Sequence, residues 1–331
     1  MEQKKLSASR INTYLRSKTE YLAKYILNYR SSEPAIAAIR GKAIESALIE
    51  YSMDTVNEDF HILAEINFTN EVGNEIVKHF DLDAEVYRKM SIPELYRILS
   101  EKFPEKESEI NQIFEKYNKE KTKIEKISMN SIDLILRKFD LSKFKYQQHA
   151  EKEYNENLIV HGFIDFYSDY GCIDLKTSSE KREIKLSEKI QLATYLYLTG
   201  SPQSIVLLYP VSEEENKIKS IHDYANQGMS IEDIFKTYKS PDGKGTTKKY
   251  IEKVLVNNIQ PDSGVVFYEP SIDELLPYQS ILFKTIESMI FLESICNKDL
   301  ELYKKLLIGF EYEWIEKDIQ NNLFKEFGIK I

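Results

Sequence analysis

Residues 161–180, HGFIDFYSDYGCIDLKTSSE, decide how the rest of the chain is read. Gly162-Phe163-Ile164-Asp165-Phe166 alternates apolar with polar or small side chains, and so does Cys172-Ile173-Asp174-Leu175-Lys176. That period predicts two short strands. Ser168-Asp169-Tyr170-Gly171 between them has turn chemistry, with Gly171 free to take a positive φ. Asp174 and Lys176 are two residues apart and therefore share one face of their strand. If Asp165 lies at the end of the neighbouring strand on that face, two carboxylates and one ammonium converge. Carboxylates that close repel unless a cation lies between them. Oxygen-only donors suit a hard divalent ion such as magnesium or manganese.

Upstream, residues 6–29 open with serines suited to a helix N-cap and carry Ile11, Tyr14, Leu15, Tyr21, Leu22 and Tyr25 at helical spacing. A second helix is expected at about 35–52, with Gly41 and Glu45 four residues apart. Downstream, Ser187 can cap a helix that ends at Gly200. Gln191 and Tyr195 share one face of it. Residues 204–210, SIVLLYP, read as a buried strand.

Taken in order, S-x-S-R-h-x-x-Y, G-x-x-x-E, G-h-h-D…h-D-h-K-T and Q-x-x-x-Y (h is apolar) resemble the motifs of the PD-(D/E)XK nuclease superfamily, in particular its RecB-like and lambda-exonuclease-like branch. The resemblance covers about 6–52 and 149–210 by motif, and 264–297 only by pattern. It implies an α/β fold with a restriction-endonuclease-like core, a mixed central sheet flanked by helices. It also implies metal-assisted phosphodiester hydrolysis. Glu45, Asp165 and Asp174, with the backbone carbonyl of Leu175, would hold one or two Mg2+ or Mn2+ ions. Lys176 would be the catalytic ammonium, and Gln191 and Tyr195 would position the substrate strand. Glu45 stands where many RecB-like members carry a histidine, and is similar here to the lambda-exonuclease-like members. Ser17-Lys18 replace the usual Cys-Pro pair and the C-terminal cysteine cluster is missing, so no iron–sulfur cluster is expected.

The rest of the composition bounds this reading. At 331 residues the chain can bury a large core, and is expected to be one nuclease domain with a helical insertion at about 54–147 and a loop and helix insertion at about 212–263. A formal net charge of −9 is not the footprint of a protein that coats nucleic acid non-specifically. One stretch runs against it: from Lys236 to Lys253 six lysines face two acidic residues. Lys244, Lys248 and Lys249 are its candidate phosphate contacts. Cys172 and Cys296 are the only cysteines, too few for a four-thiolate site, and fit reduced, buried residues of a cytoplasmic protein. MEQKKLSASR has no apolar core for a signal peptide, and no uncharged apolar run is long enough to span a membrane.

The function expected from these residues is a metal-dependent DNA exonuclease in recombination, repair or phage DNA processing. A single-strand annealing or recombination protein is a compatible partner, as is a second copy of the chain. A structure-specific endonuclease or nickase is the alternative among enzymes. A nuclease fold that binds nucleic acid without cutting is the alternative outside them.

Overall fold

The computed structural model describes residues 4–28, 34–53, 59–237 and 246–299. The chain enters through strand β1 (Lys4–Ser7) and turns at once into helix α1 (Ala8–Arg16). Ser7 Oγ accepts the Arg10 amide proton, as an N-cap should. Ser17 then breaks the run: it is extended and caps a second short helix, α2 (Lys18–Tyr21), followed by a π-helical turn at Leu22–Ile26. The single helix expected over 6–29 is therefore a strand and a segmented helix. In β1 only Leu6 is buried, so its four residues carry no alternation of their own. Its pairing partner, Leu158–His161, is far away in sequence.

Helix α3 (Ile36–Ser52) forms as expected. The segment that follows, expected as a helical insertion, is built from α4 (Phe60–His79), α5 (Ala84–Tyr87), α6 (Ile92–Lys102), α7 (Glu107–Glu125) and α8 (Met129–Lys138). Its core is not separate from that of the sheet. Ala47 and Leu48 of α3, Phe60, Phe68 and Ile76 of α4 and Ile110 of α7 belong to one cluster with Phe166, Ile173, Leu175 and Val206. A buried ion pair between Arg40 on α3 and Glu120 on α7 ties the two parts together. Because each fully buried large side chain contributes about 1.5–3 kcal/mol, this shared core holds α3 firmly against the sheet.

The sheet contains β2 (Lys145–Asn155), β3 (Leu158–Ser168), β4 (Gly171–Thr177), β5 (Gln203–Leu208) and β6 (Val265–Tyr268). With β1 it makes a six-stranded sheet. β2 lies antiparallel along one edge of β3. The other edge is shared. β1 runs parallel beside Leu158–His161, and β4 runs antiparallel beside Phe166–Ser168. Residues 162–165 of β3 thus have no strand partner on that edge among the described residues. β4 and β5 are parallel, joined over helix α9 (Leu186–Thr199), and β6 closes the sheet antiparallel to β5. α9 starts one residue ahead of Ser187: Lys185 is the extended cap residue, and Glu188 accepts its N–H at 2.8 Å. Gly200 ends it in the left-handed conformation, φ 71°, where a Cβ would be strained.

The segment expected as a loop and helix insertion contains three helices among its described residues. Helices α10 (Glu213–Asn226), α11 (Ile231–Thr237) and α12 (Lys248–Val256) enclose a small core of Ile218, Ile221, Ile234, Ile251 and Val254. Lys248 and Lys249 open a helix, and Lys244 lies outside the described residues. Helix α13 (Ile272–Lys298) follows, capped reciprocally by Ser271 and Glu274. Residues 300–331 lie outside the described residues. α1, α9 and α13 cover one face of the sheet, and α3 with its insertion covers the other, which is the mixed, helix-flanked sheet of a restriction-endonuclease-like fold. Among the described residues no helix is long and apolar enough to cross a membrane.

Candidate active site

β3 and β4 pair only as far as Phe166 and Ile173. The next cross-strand position would set Asp165 against Asp174, but the backbones have parted there. The Asp165 side chain fills the gap, with Oδ2 accepting from the Leu175 N–H at 2.9 Å. Asp174 is 1% exposed. Its Oδ1 accepts from Gln191 Nε2 at 3.1 Å, and its Oδ2 lies 2.6 Å from Lys176 Nζ. That ammonium is its ion-pair partner, and no other donor reaches the buried Oδ2. Leu175, between the two, is in register with Val206 of β5.

Glu45 reaches the same notch from α3. The helix is placed by the core described above and by Arg40 Nη2, 3.4 Å from Thr177 Oγ1 at the end of β4. Glu45 is buried, and its Oε1 accepts from Gln147 Nε2 at 2.7 Å. The same Nε2 lies 3.4 Å from Asp165 Oδ1. One carboxamide thus serves two carboxylates.

Nothing in the sequence pattern singles out Gln147. It sits on β2 opposite Asp165, at a position the β2–β3 ladder skips, with φ at 49°. A left-handed backbone is uncommon for a residue with a Cβ and costs of order 1–3 kcal/mol. The regular alternation of β3 breaks at the same level: Ile164 packs with Ala8, Cys172 and Tyr195, whereas Phe166, two residues on, joins the α3 cluster. The irregularity on both strands turns Gln147 and Asp165 toward Glu45.

Charge is crowded in the notch. Burial, then Asp174 and Glu45, push the Asp165 carboxyl up to about 8. Burial also raises Asp174 and Glu45, against the pull of Lys176 on Asp174 and of the Gln147 amide on Glu45. Burial alone would lower the Lys176 ammonium, but Asp174 and Asp165 outweigh it and hold it above its usual value. Three carboxylates therefore share one ammonium.

Gln191 and Tyr195 stand beside this group on α9. Gln191 spends both amide hydrogens inside the protein, one on Asp174 and one on Tyr195 Oη at 2.7 Å. Tyr195 Oη in turn donates to the Phe163 carbonyl at 2.7 Å, on the stretch of β3 edge that has no strand partner among the described residues. Tyr195 is 3% exposed. The tyrosine fits because residue 162 is glycine: a Cβ there would lie 2.9 Å from Tyr195 Cε1. Lys248 and Lys249 stand apart on α12, where Lys248 pairs with Glu232. Exposed Glu153 and His161, which contacts His149, do not contribute to the notch.

The donor chemistry fits a hard divalent cation. All candidate ligands are oxygens, one of them is a buried carboxylate oxygen whose sole partner is the Lys176 ammonium, and carboxyl groups outnumber ammonium groups three to one. Among the described residues no three His, Cys, Asp or Glu side chains converge tightly enough to grip an ion by themselves. Gln147 holds Glu45 and Asp165 instead. A cavity of about 710 Å³ opens over the other ends of β4 and β5, lined by Lys143, Tyr170 and Gln203, and contains none of these carboxylates.

No curated protein matches the chain significantly. A solved structure, "Crystal structure of SSO0001", is 14% identical over 51% of this chain and 72% of its own, with a TM-score of 0.22, too low to weigh on fold or function. The family model of the PD-(D/E)XK nuclease superfamily matches residues 5–246, most of the chain, a span that takes in Glu45, the notch between β3 and β4, and the Gln191–Tyr195 pair. The chain belongs to the PD-(D/E)XK nuclease superfamily.

Proposed function

We propose that the protein is a magnesium- or manganese-dependent deoxyribonuclease that degrades DNA from its ends. The observation that carries this is the meeting of Glu45, Asp165, Asp174 and Lys176, from three elements, in one notch. Glu45, Asp165 and Asp174, with the Leu175 carbonyl, are the oxygens that would hold one or two ions. A metal bound there supplies charge stabilisation to the scissile phosphate and makes the attacking water more acidic. The chain's own groups do the positioning. Lys176 Nζ meets the charge that grows on the phosphate oxygens or orients the water. Gln191 fixes the Asp174 carboxylate, and Tyr195 fixes Gln191.

The preference for ends follows from what is missing and what flanks the site. The sequence has no zinc-finger or helix-turn-helix signature with which to choose an internal site. A free terminus is a sufficient address for an acidic protein, and the two helical insertions are proposed to build the walls of its site. Lys244, Lys248 and Lys249 are the proposed phosphate contacts, and 1–331 one nuclease domain. A role in recombination, repair or phage DNA processing, with a single-strand annealing or recombination protein or a second copy of the chain as partner, is consistent with an end-directed enzyme.

The test offers one DNA in two forms, closed circular and linear, with magnesium. Degradation of the linear form to short products with the circle spared is expected, and Asp174→Asn should abolish it while the protein stays folded. Nicking of the circle would make the enzyme an endonuclease. No cleavage of either form would leave a binding module.

A further inference from the structure

Among the described residues, one side of the β2–β3 hairpin is uncovered next to the notch. Leu158, Val160, Gly162 and Ile164 of β3 turn toward α1, α9 and α13. His161 and Phe163 alternate to the opposite side. Phe163 pairs across the strands with His149, and their ring centroids are 4.9 Å apart. The His149 ring is 5.5 Å from that of His161, with Nε2 and Nδ1 at 3.4 Å. Three rings thus form a continuous strip, and Phe163 is 55% exposed. The strip leads into the notch: Asp165 is the second residue after Phe163, and Gln147 the second before His149. A cross-strand aromatic pair adds ordinary support to a hairpin. That role does not call for a phenylalanine left more than half in water beside the carboxylates.

We propose that His149, His161 and Phe163 form a stacking platform for the unpaired bases of a single DNA strand whose backbone enters the notch at Asp165. The proposal rests on the nuclease reading and names its substrate as single-stranded. Every base has a π-face, so stacking holds a strand without regard to sequence, which suits a chain with no sequence-reading element. The rung spacing along β3, about 6.6 Å per two residues, is about twice the 3.4 Å per nucleotide of a stacked strand. Each rung therefore accepts one unstacked nucleotide. A duplex keeps its bases inside and cannot use the strip. Stacking also supplies affinity that phosphate contacts on an acidic surface supply poorly, and with little salt dependence.

The experiment measures binding without cleavage, by fluorescence anisotropy in EDTA. A labelled oligothymidylate, an abasic strand of equal length and a duplex are each titrated with wild type, Phe163→Ala and Phe163→Trp. Phe163→Ala should weaken oligothymidylate binding roughly 5- to 100-fold, Phe163→Trp should retain it, and the abasic strand and the duplex should not distinguish the three proteins. Melting temperatures confirm that the exposed substitution leaves the fold intact. Equal oligothymidylate affinity for wild type and Phe163→Ala overturns the platform, as does wild-type affinity for the abasic strand equal to that for oligothymidylate. Metal-dependent cleavage, assayed separately, distinguishes the two failures: a wild type that cuts DNA while Phe163→Ala binds normally loses the platform and keeps the nuclease.

Discussion

Gln147 and Asp165 face each other across β2 and β3 where the ladder skips a pair, and the Gln147 amide nitrogen lies between Asp165 Oδ1 and Glu45 Oε1, at 3.4 and 2.7 Å. The amide carries the positive end of a dipole to the place where two carboxylates meet. A divalent cation binding these oxygens competes for the same lone pairs.

Gln147→Ala removes that donor and leaves two buried carboxylates facing each other. In EDTA the variant should melt lower than wild type, by the equivalent of about 1–3 kcal/mol, the cost of losing hydrogen bonds to charged groups. In magnesium the loss should shrink, because the cation now meets the charge. The increment in melting temperature from EDTA to magnesium should therefore be larger in Gln147→Ala. Differential scanning calorimetry at matched ionic strength measures it. Equal increments would mean that the amide does not share the cation's position.

A second expectation concerns pH. The Asp165 carboxyl rises from 3.8 to about 8 in the folded protein, through burial and then through Asp174 and Glu45. Between those values the unfolded chain has released the proton and the folded one has kept it. The unfolded state binds fewer protons, so stability falls as pH rises through this window and is flat below and above it. In EDTA, wild type should lose stability from about pH 4 to pH 8. Asp165→Asn, which cannot ionise, should lose less. Magnesium should flatten the wild-type curve, since it favours the ionised form. Urea titrations across the window give the slopes, and parallel slopes for wild type and Asp165→Asn would contradict the assignment.

Lys176 and Asp174 form a coupled pair, one 24% and the other 1% exposed. Lys176→Ala leaves a buried carboxylate uncompensated, which costs about 3–5 kcal/mol when a buried pair is broken from one side. Adding Asp174→Asn removes the orphaned charge, so the double variant should be more stable than Lys176→Ala alone. Cleavage behaves differently. Lys176→Ala should lower kcat by roughly 10²–10³, and the double variant should recover none of it. A double-mutant cycle in urea, read beside the cleavage rates, separates the two roles.

These relationships were unequally visible in the sequence. Asp174 and Lys176 were legible because period 2 places them on one face, and Gln191 and Tyr195 because period 3.6 does the same. Glu45 was legible only through its spacing from Gly41. Gln147 was not, since its place depends on a left-handed backbone and a skipped pair, neither of which leaves a composition signal. β1 was missed for a related reason: what makes Leu6 a strand residue is its pairing with Val160, not its neighbours. The helical insertion was visible as helices. That its core runs through Phe166, Ile173 and Leu175 was not, because local periodicity says which face is buried and not against what.

The last expectation follows the chain of contacts from Gly162 to Asp174. Gly162 leaves room for the Tyr195 ring, Tyr195 Oη bridges the Phe163 carbonyl and Gln191, and Gln191 holds Asp174 Oδ1. Tyr195→Phe keeps the ring and removes the hydroxyl. It leaves the Phe163 carbonyl unpaired and one Gln191 hydrogen without its acceptor, at a cost of about 1–3 kcal/mol. Gly162→Ala works from the other side: its Cβ would sit 2.9 Å from Tyr195 Cε1, so the ring or the strand must shift, as overpacking by a methyl does for about 1–3 kcal/mol. Both changes release Gln191 from Tyr195, so the second should cost less once the first is present. The double variant should be more stable than the sum of the single losses predicts, by 0.5 kcal/mol or more, about the threshold for coupled neighbours. Both singles should lower kcat more than they raise KM, because the Asp174 carboxylate that they loosen is proposed to serve the chemical step. Strict additivity in urea, or a KM effect without a kcat effect, would show that Tyr195 does not act through Gln191.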